Sequence, residues 1–133
     1  MFDPVINSLP AFAGYFATAL VLLAVFGVLY VFITPYNELA LIREGNTAAA
    51  VSLGGAVVGY ALPIAVSVAV SHNIMAMIGW GVVACLAQLM AYVVARLALP
   101  QINRAIPQGK LASGIFLASL SLGIGILNAG CIA

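Results

Sequence analysis

LPAFAGYFATALVLLAVFGVLYVFI, residues Leu9 to Ile33, decides the fold. It runs for 25 residues without a formally charged side chain, and about 20 helical residues at 1.5 Å each cross the hydrocarbon core of a bilayer. Three more segments read the same way: Thr47–Ser71, Ile74–Ala95 and Lys110–Cys131, with Lys110 at the edge of the last the only charge among them. Lipid offers no partner to a bare backbone N–H or C=O, so such segments are helical. The expectation is an all-α integral membrane protein with four transmembrane helices, forming a single domain over residues 1–133.

Composition agrees. Of the 133 residues 65% are hydrophobic and 5% charged, against about 25% charged in a soluble domain. A soluble fold is therefore excluded. The net charge of +1 gives no reason to expect a nucleic-acid partner. The opening MFDPVINSLPAF lacks the positive n-region of a secretory signal, so the first helix is expected to be retained. Cys85 falls well inside the third segment and Cys131 at the end of the fourth, which disfavours a disulfide between them. One histidine and no Cys-x-x-Cys leave no signature for a metal or haem, and no cofactor is expected.

The joints between segments are unequal. TPYNELALIREGN (residues 34–46) separates the first two and PQINRAIPQG (100–109) the last two, whereas Ser71, His72 and Asn73 form a tight hairpin between the second and third. All four basic residues, Arg43, Arg96, Arg104 and Lys110, lie at the two longer joints. By the positive-inside rule this face is cytoplasmic and both termini are periplasmic. A shift of 64 residues superposes Gly45 on Gly109, Leu53 on Leu117 and Gly59 on Gly123. This predicts two helical-hairpin repeats, residues 9–71 and 74–131, related about an axis along the membrane normal.

Each long joint has room for a short interfacial helix. In the first, Thr34-Pro35 reads as N-cap and first-turn proline and Gly45 as the residue that ends the helix. Leu39, Leu41 and Ile42 would then meet the apolar boundary, and Glu38, Arg43 and Glu44 would face water. In the second, Ile102 and Ile106 take the apolar part and Pro107 stops the helix; an irregular turn reads equally well there.

Small residues dominate the second and fourth segments. Gly55 and Gly59 share one face, and Ser119 and Gly123 occupy the corresponding place in the fourth. Such residues let helix backbones approach closely, either within the bundle or at an oligomeric interface or pore lining. Gln88, Tyr92 and Cys85 fall on one stripe of the third segment, and Tyr60 and Asn128 are further polar positions inside the spans. A buried amide calls for a hydrogen-bond partner, which either a neighbouring helix or a polar path would supply. The densest chemistry is the patch Asn37, Glu38, Arg43, Glu44 and Asn46. No nucleophile elbow, P-loop or dinucleotide fingerprint accompanies it, and no enzymatic activity is expected.

The block TPYNELALIREGNTAAAVSLGGAVVGYALPI and the ending GIFLASLSLGIGILNAGC resemble the domain-of-unknown-function 350 family (DUF350, the YjfL or UPF0719 type), across essentially the whole chain. The resemblance implies a four-helix bacterial inner-membrane protein, with Asn37, Glu38, Arg43, Glu44, Gly45 and Asn46 as its signature, echoed at Gln108 and Gly109, and Asn128 in its closing motif. It carries no activity with it. The expected function is a non-enzymatic membrane module, either a homo-oligomer or the membrane subunit of an envelope-associated complex. Membrane lipids and a membrane or cytoplasmic protein are the expected partners. A small channel or transporter is the alternative, weakened by the lack of any charge at mid-membrane.

Overall fold

Backbone that finds no partner in lipid closes its hydrogen bonds within itself, and the four apolar segments become α1 (Asp3–Ile33), α3 (Thr47–Ser71), α4 (Ile74–Ala98) and α6 (Leu111–Ile132). Two short helices, α2 (Glu38–Arg43) and α5 (Ile102–Ala105), occupy the long joints. The structure is a computed structural model and describes residues 3–133. All four long helices are long and apolar enough to cross a membrane. α1 begins six residues earlier than the uncharged segment: Pro4 suits a first turn, where its missing N–H costs nothing, and Asp3 is favourable at a helix N-terminus. α4 runs past Arg96 until Pro100 restricts the residue before it.

The cap of α2 differs from the expectation. Thr34 still belongs to the end of α1, since its N–H bonds Tyr30 O at 3.1 Å. Asn37 is the N-cap instead, its side chain accepting from the Ala40 N–H at 3.2 Å. Both short helices are followed by the same terminal motif. Gly45 N–H donates to Ile42 O at 2.9 Å and Asn46 N–H to Leu41 O at 2.9 Å; Gly109 N–H donates to Ile106 O at 2.9 Å and Lys110 N–H to Ala105 O at 3.0 Å. This pairing needs a left-handed residue between the two bonds, and glycine fills the place at φ +88° and +78°. At the other end of the bundle His72 is left-handed (φ 51°), and Asn73 caps α4 through the Met75 N–H at 2.8 Å.

α3 and α6 form the centre. Their crossing is made almost entirely of small residues, so backbone meets backbone. A Cβ on Gly114 would sit 2.5 Å from Ala48 O, and one on Gly55 would sit 2.5 Å from Ala118 Cα. A Cβ on Gly125 would collide with Gly59 O and lie 2.6 Å from Gly59 Cα. Pro63, inside α3, removes the N–H that would otherwise bond Gly59 O, which leaves that carbonyl turned to the partner helix.

The face of α6 is not the expected one. Gly123 has open space where a side chain would go, and Ser119 is exposed, its hydroxyl bonded back to Ile115 O at 2.8 Å. The buried residues are Gly114, Leu117, Ala118, Ser121, Gly125 and Ala129. A shift of 64 brings the two glycine turns together, but these six residues fall on buried positions of α3 at a shift of 62. Two residues amount to about 200° of helical rotation at 100° each, which turns Gly123 away from the crossing.

α4 closes the bundle through two polar links: Tyr60 O–H donates to Gly81 O at 3.2 Å, and Gln88 Nε2 donates to Ser121 O at 3.0 Å. α1 lies at the periphery, and only Phe26 and Tyr30 are buried on it. Phe26 stacks on Tyr60 with ring centres 4.4 Å apart, and Tyr30 meets Tyr92 of α4 edge-on at 6.1 Å.

Candidate functional site

The short helix α2 places a carboxyl where none was expected. Thr34 ends α1, Pro35 and Tyr36 bend the chain, and Asn37 starts a helix whose first residue, Glu38, turns inward. Glu38 is 0% exposed. The expectation that it faces water is therefore corrected. The apolar side of α2 must reach the bundle, and only six residues are available to turn it; Glu38 shares the inward side with the half-buried Leu41 and Ile42, while Leu39 points out.

The surroundings of Glu38 are oxygen-rich and, among the described residues, bring no cationic side chain to it. The Thr34 hydroxyl bonds Glu38 Oε1 and lies 3.1 Å from both Val31 O and Tyr36 O. The phenols of Tyr30, Tyr36 and Tyr92 lie in the neighbourhood of the carboxyl, Tyr30 and Tyr92 with ring centres 6.1 Å apart. Glu38 Oε2 and the hydroxyls of Tyr30 and Tyr36 have no hydrogen-bond partner among the described residues. Tyr92 O–H donates to Asn103 Oδ1, which joins α4 to α5. Burial pushes the Glu38 carboxyl above the usual carboxylate range, and the bonds from Thr34 and from its own backbone N–H oppose this only in part. Burial first, then the charges of Glu38 and Tyr92, also raises the Tyr36 phenol.

The rest of the sequence-predicted patch divides. Asn37, Arg43 and Glu44 are exposed. Asn46 is half-buried and links the two long joints: its Oδ1 accepts from the Ala49 N–H at 3.0 Å, capping α3, and its Nδ2 donates to Ile106 O at 2.8 Å and Pro107 O at 3.3 Å. Gly55, Gly59, Tyr60 and Gln88 gather in the interior, where a Cβ on Gly59 would come 2.8 Å from Gln88 Nε2. Gly123 and Asn128 do not join them: Gly123 is off the crossing, and Asn128, towards the C-terminal end of α6, leaves its Nδ2 unpartnered among the described residues. Among the described residues no three His, Cys, Asp or Glu side chains converge.

The sequence reading overlooked Thr34, Tyr30, Tyr36 and Tyr92 as companions of Glu38. A signal was present, since Tyr30 and Tyr36 fall just before and within the 34–46 joint, and Tyr92 lies in the last two turns of α4, which leads into the 100–109 joint. Tyrosines at that level read by default as interfacial anchors.

Four apolar spans around a backbone-packed core, with polar chemistry gathered at one end, define a polytopic α-helical membrane protein. The chain belongs to the family described as Domain of Unknown Function (DUF350), which matches residues 4–132. It is 33% identical over 127 residues to the UPF0719 inner membrane protein YjfL of Escherichia coli K12, covering 96% of each chain. It is 28% identical over 125 residues to the UPF0719 transmembrane protein YshE of Bacillus subtilis 168, covering 92% of this chain and 93% of that one. No solved structure matches it.

Proposed function

We propose that the chain is a multi-pass inner-membrane module without enzymatic activity, working as a homo-oligomer or as the membrane subunit of an envelope-associated complex. Its working surface is the end of the bundle that carries residues 34–46 and 100–109. The observation behind this is the division of the molecule. The interior is closed by backbone contact between α3 and α6, while Arg43, Glu44, Arg96, Arg104 and Lys110 are all exposed around one end. The positive-inside rule makes that end cytoplasmic and leaves both termini periplasmic. The name of the Escherichia coli relative supports the inner membrane as the location. The paired glycine turns at Gly45 and Gly109 support two parallel-related halves.

A small channel or transporter has less support. Three of the buried polar side chains inside the spans are tied to backbone carbonyls: Ser52 to Ala49 O, Ser67 to Ile64 O, and Gln88 to Ser121 O of the neighbouring helix. A photo-crosslinking residue placed at position 43 or 44, in native membranes, tests the proposed surface against the same residue at Leu127, which is 71% exposed on the apolar face of α6. Discrete protein adducts are expected from 43 and 44 and lipid adducts from 127. Lipid adducts alone from all three positions would remove the docking role.

A further inference from the structure

We propose that Glu38 is a proton-binding site, caged by Thr34, Tyr30, Tyr36 and Tyr92, and that loss of its proton releases α2 from the bundle. The argument is one of counting hydrogens. If the carboxyl is ionised, the single hydroxyl hydrogen of Thr34 must serve three acceptors, Glu38 Oε1, Val31 O and Tyr36 O. If the carboxyl carries a proton it can donate to Thr34 Oγ1, which frees the Thr34 hydrogen for one of the carbonyls. The protonated form thus satisfies one acceptor more.

Charge points the same way. A carboxylate with no exposed surface is costly unless a cation pairs with it, and among the described residues none does. The ionisable groups around it are the Tyr30 phenol on α1, Tyr36 in the bend and Tyr92 on α4, while Arg96, one turn further along α4, is exposed. α3, which packs on α2, begins TAAAVSL and offers no ionisable side chain there. α5 contributes Asn103 through Tyr92 and keeps Arg104 exposed. Arg43 and Glu44, on α2 itself or at its end, are exposed. Every ionisable neighbour facing the carboxyl is therefore a neutral phenol, which can donate a hydrogen bond but cannot neutralise a charge.

The sign follows. A carboxyl held above its ordinary range binds more protons folded than unfolded, so its stabilising effect is complete at low pH. It is lost as pH rises from the usual carboxylate range through the raised value. What is lost is the anchoring of α2, whose six residues cannot make a stable helix alone.

The chain has two glutamates, Glu38 and Glu44. The exposed one can therefore be removed with E44Q, so that carboxyl-¹³C glutamate labelling reports Glu38 alone by NMR in lipid nanodiscs. A pH titration is expected to show a midpoint above the ordinary carboxylate range. Hydrogen exchange at Leu39–Ile42, corrected for the intrinsic pH effect, is expected to rise at least tenfold through the same midpoint, and to stay flat in E38Q. A midpoint at or below the ordinary range would overturn the assignment. So would exchange that ignores the titration, which can be judged without E38Q. A midpoint that falls as sodium replaces choline at constant ionic strength would make the occupant a metal cation and would also overturn it.

Discussion

Replacing Gly125 by alanine adds one methyl group to the closest point of the α3/α6 crossing. That methyl would run into Gly59 O and stand 2.6 and 2.7 Å from Gly59 Cα and C. Ordinary contact between heavy atoms is about 3.5–4.0 Å, so the helices must part by about 1 Å. No rotamer change relieves the clash, because every atom met is backbone. Overpacking costs about 1–3 kcal/mol, and the upper part of that range applies where only backbone can yield. G123A is the matched control: same helix, same added methyl, open space around it. Both variants gain the same helix propensity over glycine, about 1 kcal/mol, so it cancels in the comparison. The expected gap is about 2–3 kcal/mol, a factor of roughly 30 to 150 in the folding equilibrium. Reversible unfolding in mixed detergent micelles, with the helical circular-dichroism signal as readout, measures it. Coincident unfolding curves for G125A and G123A would show that backbone contact does not hold α3 to α6.

Two other outcomes are expected, the first from the proposed orientation and the second from the link at Asn46. With Cys85 and Cys131 replaced, a cysteine at position 43 or 104 should be protected from an impermeant thiol reagent in intact cells, while one at 72 should react; reaction at 43 without permeabilisation would reverse the proposed orientation. N46A should cost about 1 kcal/mol for the lost α3 cap and more for the lost bond to Ile106 O, whereas N46D keeps the cap acceptor and loses only the donor; equal melting temperatures for N46D and wild type would show that the link between the joints is not stabilising.

The spans were legible because their signal is long and one-dimensional. Thr47–Ser71 is bounded in the structure as the sequence bounds it, and the other three differ by a few residues at their ends. Which face of a span packs was less legible. In lipid every side is apolar, so Gly123 and Gly125 look alike until the neighbouring helix is in place, and the spacing that pointed to Gly123 could not show that the α3/α6 crossing uses Gly125. Glu38 was misread for a related reason. A charged residue in an interfacial helix normally faces water, but its neighbours in space, Tyr30 and Tyr92, belong to other elements and are 8 and 54 positions away. Asn46 illustrates both sides. Its capping of α3 is readable from the next few residues, whereas its bond to Ile106 spans 60 positions and is not.

The unequal lengths of the helices bear on how the protein sits in its solvent. α1 has 31 residues and α6 has 22, or about 46 and 33 Å of helix at 1.5 Å per residue. Hydrocarbon is about 30 Å thick, so α6 fits with a modest tilt. For α1 to fit entirely it would have to lean by about 50°, beyond the roughly 0–40° range of spanning helices. Its first turns, with Asp3, Asn7 and Ser8 exposed, therefore extend into the headgroup layer. Phe26 and Tyr30 are the only fully buried residues of α1, with Tyr15, Ala19, Leu22 and Leu23 packed in part on the core, so its N-terminal turns are the least covered stretch among the four spans. The length in excess of the bilayer thus falls at the end of α1 away from its aromatic contacts with Tyr60 and Tyr92, and the end beside Glu38 is the one held by the bundle.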